Sequence, residues 1–257
     1  MKLLIALIFL APGLLAQSTY LFDTGRALYE AAQYPSALGR LRASEAAGED
    51  APLRPLYFAM CFGQAGNWDK VKPLLEPFLK QHPDSAAGWY WMGTAQYHGR
   101  LFTSAREAFQ RTIAVAPEDS DAWRMLGLAE LELAHRNEAH RAWLKAVDLR
   151  PRDARAYYLI GRLFYESNHF EDSLGWLSKT LTLDTADFAA MTYLGLSYDG
   201  LGKNNEALRC YRAAIKQSLT AYKPYSWAYL SLGKLLRKIG SEEDSSQVLE
   251  EGARFGT

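Results

Sequence analysis

The sequence predicts an all-α chain of stacked antiparallel helix pairs, an α-solenoid, and three observations predict it. A small residue recurs every 34 residues at Gly25, Ala59, Gly93, Gly127, Gly161 and Gly195, and again at Gly233 after four extra residues. Each period carries two apolar stripes at helical spacing with a turn between them. Prolines close three of the periods, at Pro83, Pro117 and Pro151. A unit of this length cannot bury its apolar face alone and must lean on its neighbours, which is the logic of an array and not of an enzyme core.

The segments follow in order. Met1 to Ala16 has Lys2 as a positive start, an apolar stretch from Leu3 to Leu10 and the exit Leu14-Leu15-Ala16, the layout of a secretory signal cut after Ala16. Pro12 and Gly13 break that stretch, which falls short of the ~20 residues a membrane span needs. Cleavage is the expectation and retention as an anchor the alternative. No cysteine stands near the exit to take a lipid.

A single array is expected over residues 18–257, with repeats starting near 18, 52, 86, 120, 154, 188 and 226. In the third, Trp89, Met92 and Gly93 make an i, i+3, i+4 stripe at positions 4, 7 and 8, and Gly99-Arg100 stops that helix. Ala105, Phe109 and Ile113 continue down a second helix until Pro117, which cannot extend it. Position 20 runs Ala37, Val71, Ala105, Ala139, Ser173, Ala207 and Ser245, so with position 8 both helices are thin where their axes would cross. Position 24 carries bulk, Leu41, Leu75, Phe109, Trp143, Leu177, Tyr211 and Leu249, expected to fill the gap to the next pair.

Three places depart from the pattern. Pro73 and Pro77 fall inside the second helix of the second repeat, which should bend or start late. Leu219 to Tyr225, with Pro224, should lengthen the turn before the seventh repeat. The last helix is polar from Ser241 to Gln247, with Ser241 and Asp244 as a loose capping box, and is expected to serve as its own cap.

The pattern Trp-x-x-Leu-Gly at Trp123 to Gly127, followed by Ala139, Trp143, Ala146 and Pro151, resembles the tetratricopeptide repeat. The resemblance covers Ser18 to Thr257 in seven repeats. It implies a right-handed superhelix with an inner groove lined mainly by first helices.

Composition narrows the function. Lys and Arg total 29, as do Asp and Glu, so no field of either sign is available to gather nucleic acid or an anionic membrane. Hydrophobic residues make up 49% of the chain, ample for a core. Cys61 and Cys210 fall in the second and sixth repeats, about 40 Å apart at ~10 Å per repeat, too far for a disulfide; both should be buried free thiols. Asn-X-Ser/Thr is absent, which favours a bacterial envelope over a eukaryotic secretory route.

On each first helix, positions 2, 5, 6, 9, 12 and 13 lie opposite the core stripe. A solvated face would be polar there, yet the chain places Phe22, Leu56, Tyr57, Met60, Tyr90, Trp91, Tyr97, Met125, Leu128, Tyr158, Leu159, Tyr165, Tyr193 and Leu196 on it, with Arg162 among them. These side chains either pack sideways on the adjacent first helix or form a groove for an apolar or aromatic-rich protein segment; as an ensemble they point to the groove. The family's carboxylate-binding arrangement of Lys, Asn and Arg has no counterpart, because Asn67, Asn137, Asn168, Asn204 and Asn205 all fall in turns. Arg155, Arg162, Lys234, Arg237 and Lys238 make the C-terminal end more basic, read as a solvated face over a contact for an acidic ligand end.

Catalysis finds no support. His82, His98, His135, His140 and His169 are dispersed and expected at the surface, with no metal spacing, no nucleophile pair and no phosphate loop. No cofactor is expected. The sequence therefore points to a non-catalytic, exported protein-binding scaffold, periplasmic or secreted, without nucleic acid or a stable membrane anchor. The alternatives are an assembly factor for an envelope complex acting through its outer face, or a regulatory subunit of a separate enzyme.

Overall fold

The computed structural model describes residues 19–255; the signal expected at Met1 to Ala16 lies outside them. Among the described residues there are fourteen α-helices and no strand, and the chain divides into two compact units, one ending at Pro117 and one beginning at Glu118. The first unit pairs α1 (Tyr20–Glu30) with α2 (Tyr34–Ala46), α3 (Arg54–Gln64) with α4 (Val71–Gln81), and α5 (Ala86–His98) with α6 (Phe102–Val115). The second pairs α7 (Ser120–Glu132) with α8 (Arg136–Leu149), α9 (Ala154–Glu166) with α10 (Phe170–Leu183), α11 (Phe188–Gly200) with α12 (Asn204–Thr220), and α13 (Ser226–Lys238) with α14 (Glu242–Ala253). Each unit is a stack of such pairs, the α-solenoid the repeat predicts.

Local chemistry sets where each first helix begins and ends. Ser85, Asp119, Asp153 and Asp187 occupy one register position, and their side chains accept hydrogen bonds from the backbone N–H of Gly88, Ala122, Ala156 and Ala190 at 2.8–3.2 Å. Such a cap contributes about 1 kcal/mol. At the other end, Ala32, Gly66, Arg100, Ala134, Asn168, Gly202 and Gly240 all have positive φ. The next residue's N–H then reaches back to a carbonyl of the last helical turn, as Leu101 does to Gln96 at 2.8 Å.

Closure of the pair adds to one expectation. The bulky position 24 reaches the next pair as expected, Trp143 clustering with Leu159, Ile160 and Leu163 and Tyr211 with Leu232, Leu235 and Leu236, and it also seats on the position 8 glycine of its own pair. A Cβ on Gly161 would lie 2.7 Å from Leu177, and one on Gly93 2.8 Å from Phe109. Position 20 completes the crossing: the hydroxyls of Ser173 and Ser245 donate to the carbonyls of Gly161 and Gly233 at 2.8 Å. Trp143 fits the same slot with its indole N–H donating to the carbonyl of Arg124 at 3.0 Å.

The irregular places resolve differently. The second helix of the second repeat does start late: α4 has 11 residues against 14 in α6, α8 and α10, after a 3-10 turn at Trp68–Lys70. Pro73 then falls in the first turn, where a helix leaves its N–H groups without internal partners anyway. Before the seventh repeat the extra residues mainly lengthen the helix, since α12 runs 17 residues to Thr220, rather than the turn as expected. Ser241 makes no side-chain cap bond, so the expected box does not form. Cys61 and Cys210 are free, but only Cys61 is fully buried; burial pushes both thiols up to about 11.

Candidate partner-binding face of the first helices

In the first unit, Tyr57 meets Phe22 edge-on at 5.6 Å and Tyr29 at 5.7 Å. Phe22 and Leu56 are buried, whereas Tyr57 and Met60 are half-buried. Trp91 packs over Gly63 and stacks with Trp68 at 6.5 Å, and Tyr90 crosses it at 5.9 Å. Tyr97 lies edge-on to Phe102 at 5.6 Å. Tyr90, Trp91 and Tyr97 keep part of their surface in solvent.

In the second unit the named residues converge. Tyr193 is the hub, with Tyr158 at 5.7 Å, Tyr165 at 5.4 Å and Trp227 at 4.8 Å, all edge-on. Tyr225 adds to Trp227 at 6.2 Å and to Phe188 at 5.1 Å. Tyr158 and Tyr193 are only 6% exposed, and Met125 and Leu159 are buried too, so here the sideways packing between adjacent first helices is realised. Leu128, Tyr165, Leu196, Tyr225 and Trp227 remain half-exposed around that buried centre. Burial raises the Tyr193 hydroxyl above its ordinary range and pushes those of Tyr158 and Tyr225 up to about 12, so all three stay protonated near neutral pH.

The basic residues are largely engaged. Arg162 donates through Nε to Glu166 at 2.7 Å, Arg136 stands 3.7 Å from the same carboxylate, and Arg155 lies over the Tyr158 ring at 5.0 Å. Lys238 pairs with Asp199 at 2.5 Å and Arg237 with Glu242 at 3.7 Å.

Trp227 was not among the expected residues, although it holds position 2 of its repeat, a position on the named face. The register alone could have found it. Tyr225 and Phe188 carried no such signal, because each belongs to the chain just entering a first helix.

Of the histidines, His98, His135 and His169 are exposed as expected, whereas His82 and His140 are half-buried. His140 lies beside Phe164 at 5.2 Å and His98 stacks on Trp68 at 4.1 Å; partial desolvation lowers the pKa of both. His135 bonds the buried carboxylate of Glu130 at 2.8 Å. Among the described residues, no group of three His, Cys, Asp or Glu side chains is placed to hold a metal, and no helix is long and apolar enough to cross a membrane.

Against this geometry, a family model described as tetratricopeptide repeat matches residues 58–120, 95–134 and 124–188, and a second of the same description matches 189–218. No curated protein matches the sequence. Among solved structures, a tetratricopeptide repeat protein from Parabacteroides merdae superposes with a TM-score of 0.68 at 16% identity, covering 93% of either chain. PilF of Pseudomonas aeruginosa gives 0.66 at 14% identity over 77% of this chain and 88% of its own. YrrB, described as having an unusual peptide-binding site, gives 0.57 at 17% identity over 69% of this chain and 91% of its own. At these identities the likeness is one of fold.

Proposed function

The chain belongs to the tetratricopeptide repeat family, and from that premise we propose that it is a non-catalytic scaffold whose first-helix face captures a segment of a partner protein. The observation that carries this reading is the Tyr193 hub: rings locked edge-on at its centre, with Tyr165, Tyr225, Trp227, Leu128 and Leu196 half-exposed around it. Side chains already fixed by packing lose little freedom on binding, and aromatic anchors of this kind dominate interface energies. The peptide-binding site described for YrrB is consistent with this use of the fold. In the first unit Tyr57, Tyr90, Trp91 and Tyr97 supply the corresponding surface.

We also propose that the protein acts outside the cytoplasm of a bacterium, in the periplasm or beyond. The signal-like layout of Met1 to Ala16 supports export, and the absence of Asn-X-Ser/Thr supports a bacterial envelope. Cell fractionation with mass spectrometry of the N-terminus checks it: an envelope species beginning at Gln17 is expected, and a cytoplasmic species retaining Lys2 overturns it.

A photoreactive residue at 91 or 165, on first helices, should crosslink one defined envelope protein that the same residue at 110 or 145, on second helices, does not reach. Equal capture from both sets would sink the first-helix reading. An assembly role through another surface is favoured by one observation: Leu230 is 42% exposed beside a cleft of about 350 Å³ lined by Trp227, Tyr229, Leu249 and Ala253. Crosslinks confined to residue 230 would support that role instead.

A further inference from the structure

The second unit carries a cleft that the first-helix face does not use. It opens between α9 and α10 with a volume of about 440 Å³ and is lined by Tyr157, Glu171, Asp172, Gly175, Trp176 and Lys179. Tyr157 is more than nine-tenths buried and lines the cleft, and no hydrogen bond joins its hydroxyl to another described residue. Its ring stands 5.9 Å from that of Trp176 at an angle of 36°.

Trp176 is not needed to close the pair. It holds position 23, which in the third and fourth repeats is filled by buried alanines, Ala108 and Ala142. The indole instead stays half-exposed and walls the cleft. Next to it, a Cβ on Gly175 would meet nothing within 4 Å, so the floor is open. Glu171 and Asp172 lie in the first turn of α10, where a helix start favours acids, but neither is ion-paired among the described residues. With Lys179 on the rim, the cleft keeps one negative charge in excess.

The third repeat shows what such an aromatic accepts. There the position 4 ring is Trp89, and the Arg111 guanidinium lies over it at 5.9 Å. Arg111 holds position 26; the same position in the fifth repeat is Lys179, and among the described residues no cation lies over Tyr157 or Trp176.

We propose that this cleft receives an arginine side chain presented by a partner protein, the guanidinium plane against Trp176, its edge donating to the Tyr157 hydroxyl, with Glu171 and Asp172 as counter-charge. Arginine fits better than lysine because a planar guanidinium can stack on a ring and donate in its own plane at once. The site is separate from the first-helix face and does not depend on it.

The test uses the full chain, the peptide acetyl-Gly-Arg-Gly-Arg-Gly-amide and its citrulline counterpart, which keeps the shape without the charge. The readout is the Trp176 indole N–H in a nitrogen-edited NMR spectrum, assigned by Trp176→Phe. The arginine peptide should shift that signal at a concentration about tenfold lower than citrulline, and Glu171→Gln with Asp172→Asn should remove the difference. Tyr157→Phe, which keeps the packed ring, should weaken binding by about fivefold, and Lys179→Met should strengthen it by a similar factor. Equal binding of the two peptides overturns the proposal, as does no shift with either. Spermidine binding as tightly as the arginine peptide would assign the cleft to a free polyamine and overturn it too.

Discussion

In the second unit α7, α9 and α11 each take a cap from the residue just before the helix, Asp119, Asp153 and Asp187. In the first unit α1 takes its cap from far away: the Glu49 carboxylate accepts from the N–H groups of Leu21 at 3.0 Å and Phe22 at 2.9 Å. The Arg54 guanidinium holds the Glu49 carbonyl and bonds Ser44 at 3.2 Å, tying that loop down. The ion pairs differ in the same sense. Those of the first unit lie within single exposed helices, Arg26 with Asp23 and Glu30, Lys72 with Glu76, where such pairs contribute little. In the second, Arg124 joins Asp121 to Asp153, the cap of the next first helix, and Arg136 and Arg162 share the Glu166 carboxylate, so neighbouring repeats share carboxylates. Three first helices of the second unit carry their own start signals, as α5 does through Ser85, while the start of α1 exists only once the α2–α3 loop is in place.

The largest expected effect tests the shared part of the two units. Gly127→Ala would drive a Cβ into the Trp143 indole and should cost about 2 kcal/mol or more, read as a loss of stability in denaturant titration. Ala59→Gly, at the same position in the first unit, should cost about 1 kcal/mol, since it creates no clash and removes one buried methyl while adding backbone freedom. Equal losses would mean that position 8 is not the crossing point. Next, Asp153→Ala should cost about 1–2 kcal/mol, because it removes both a cap and a partner of Arg124. Exchange of the Ala156 amide should quicken, and an unchanged rate would erase the contrast drawn between the units.

A smaller effect follows pH. Burial alone would raise the Glu49 carboxyl, but bonds from Ser44, Leu21 and Phe22 and the nearby Arg54 outweigh it and hold its pKa low. With the folded pKa depressed, the unfolded chain binds the proton first. The stabilisation is therefore present above the ordinary carboxylate value of about 4.3 and is lost as pH falls from there through the folded pKa. Glu49→Gln should flatten that dependence for the α1 amides, and a slope equal to that of the unaltered chain would remove Glu49 from its role. The smallest effect has the opposite sign: Ala134→Gly should stabilise by about 0.5–1 kcal/mol, since φ there is 64°. A Tm lower than that of the unaltered protein would show that the alanine methyl matters elsewhere.

The architecture was legible because its signals are local and repeated: Gly93 to Gly195 set the register, and Phe109 or Trp143 sits at the one place where glycine lets it approach. The caps were equally available, since Ser85, Asp119, Asp153 and Asp187 share the last position of their repeats, just before a first helix. The binding face was legible by type and not by depth. Helical spacing marks Tyr158 and Tyr193 as pointing away from their own pair, and says nothing about whether the neighbouring first helix covers them. That depends on how closely adjacent pairs approach, which no single repeat encodes. The longer α12 was hidden for a related reason: Leu219 and Thr220 can continue a helix as readily as begin a turn, and the insertion alone does not choose.

The contact that shuts each pair, such as Leu177 on Gly161, joins residues near one another along the polypeptide, as do the left-handed corner at Asn168 and the cap at Asp153. Little chain entropy is lost in forming any of them, and topologies dominated by such short-range contacts fold fast. A nascent second unit can therefore consolidate pair by pair as it is synthesised. By the same reasoning α1, whose start awaits Glu49, joins its stack a step behind the loop that secures it.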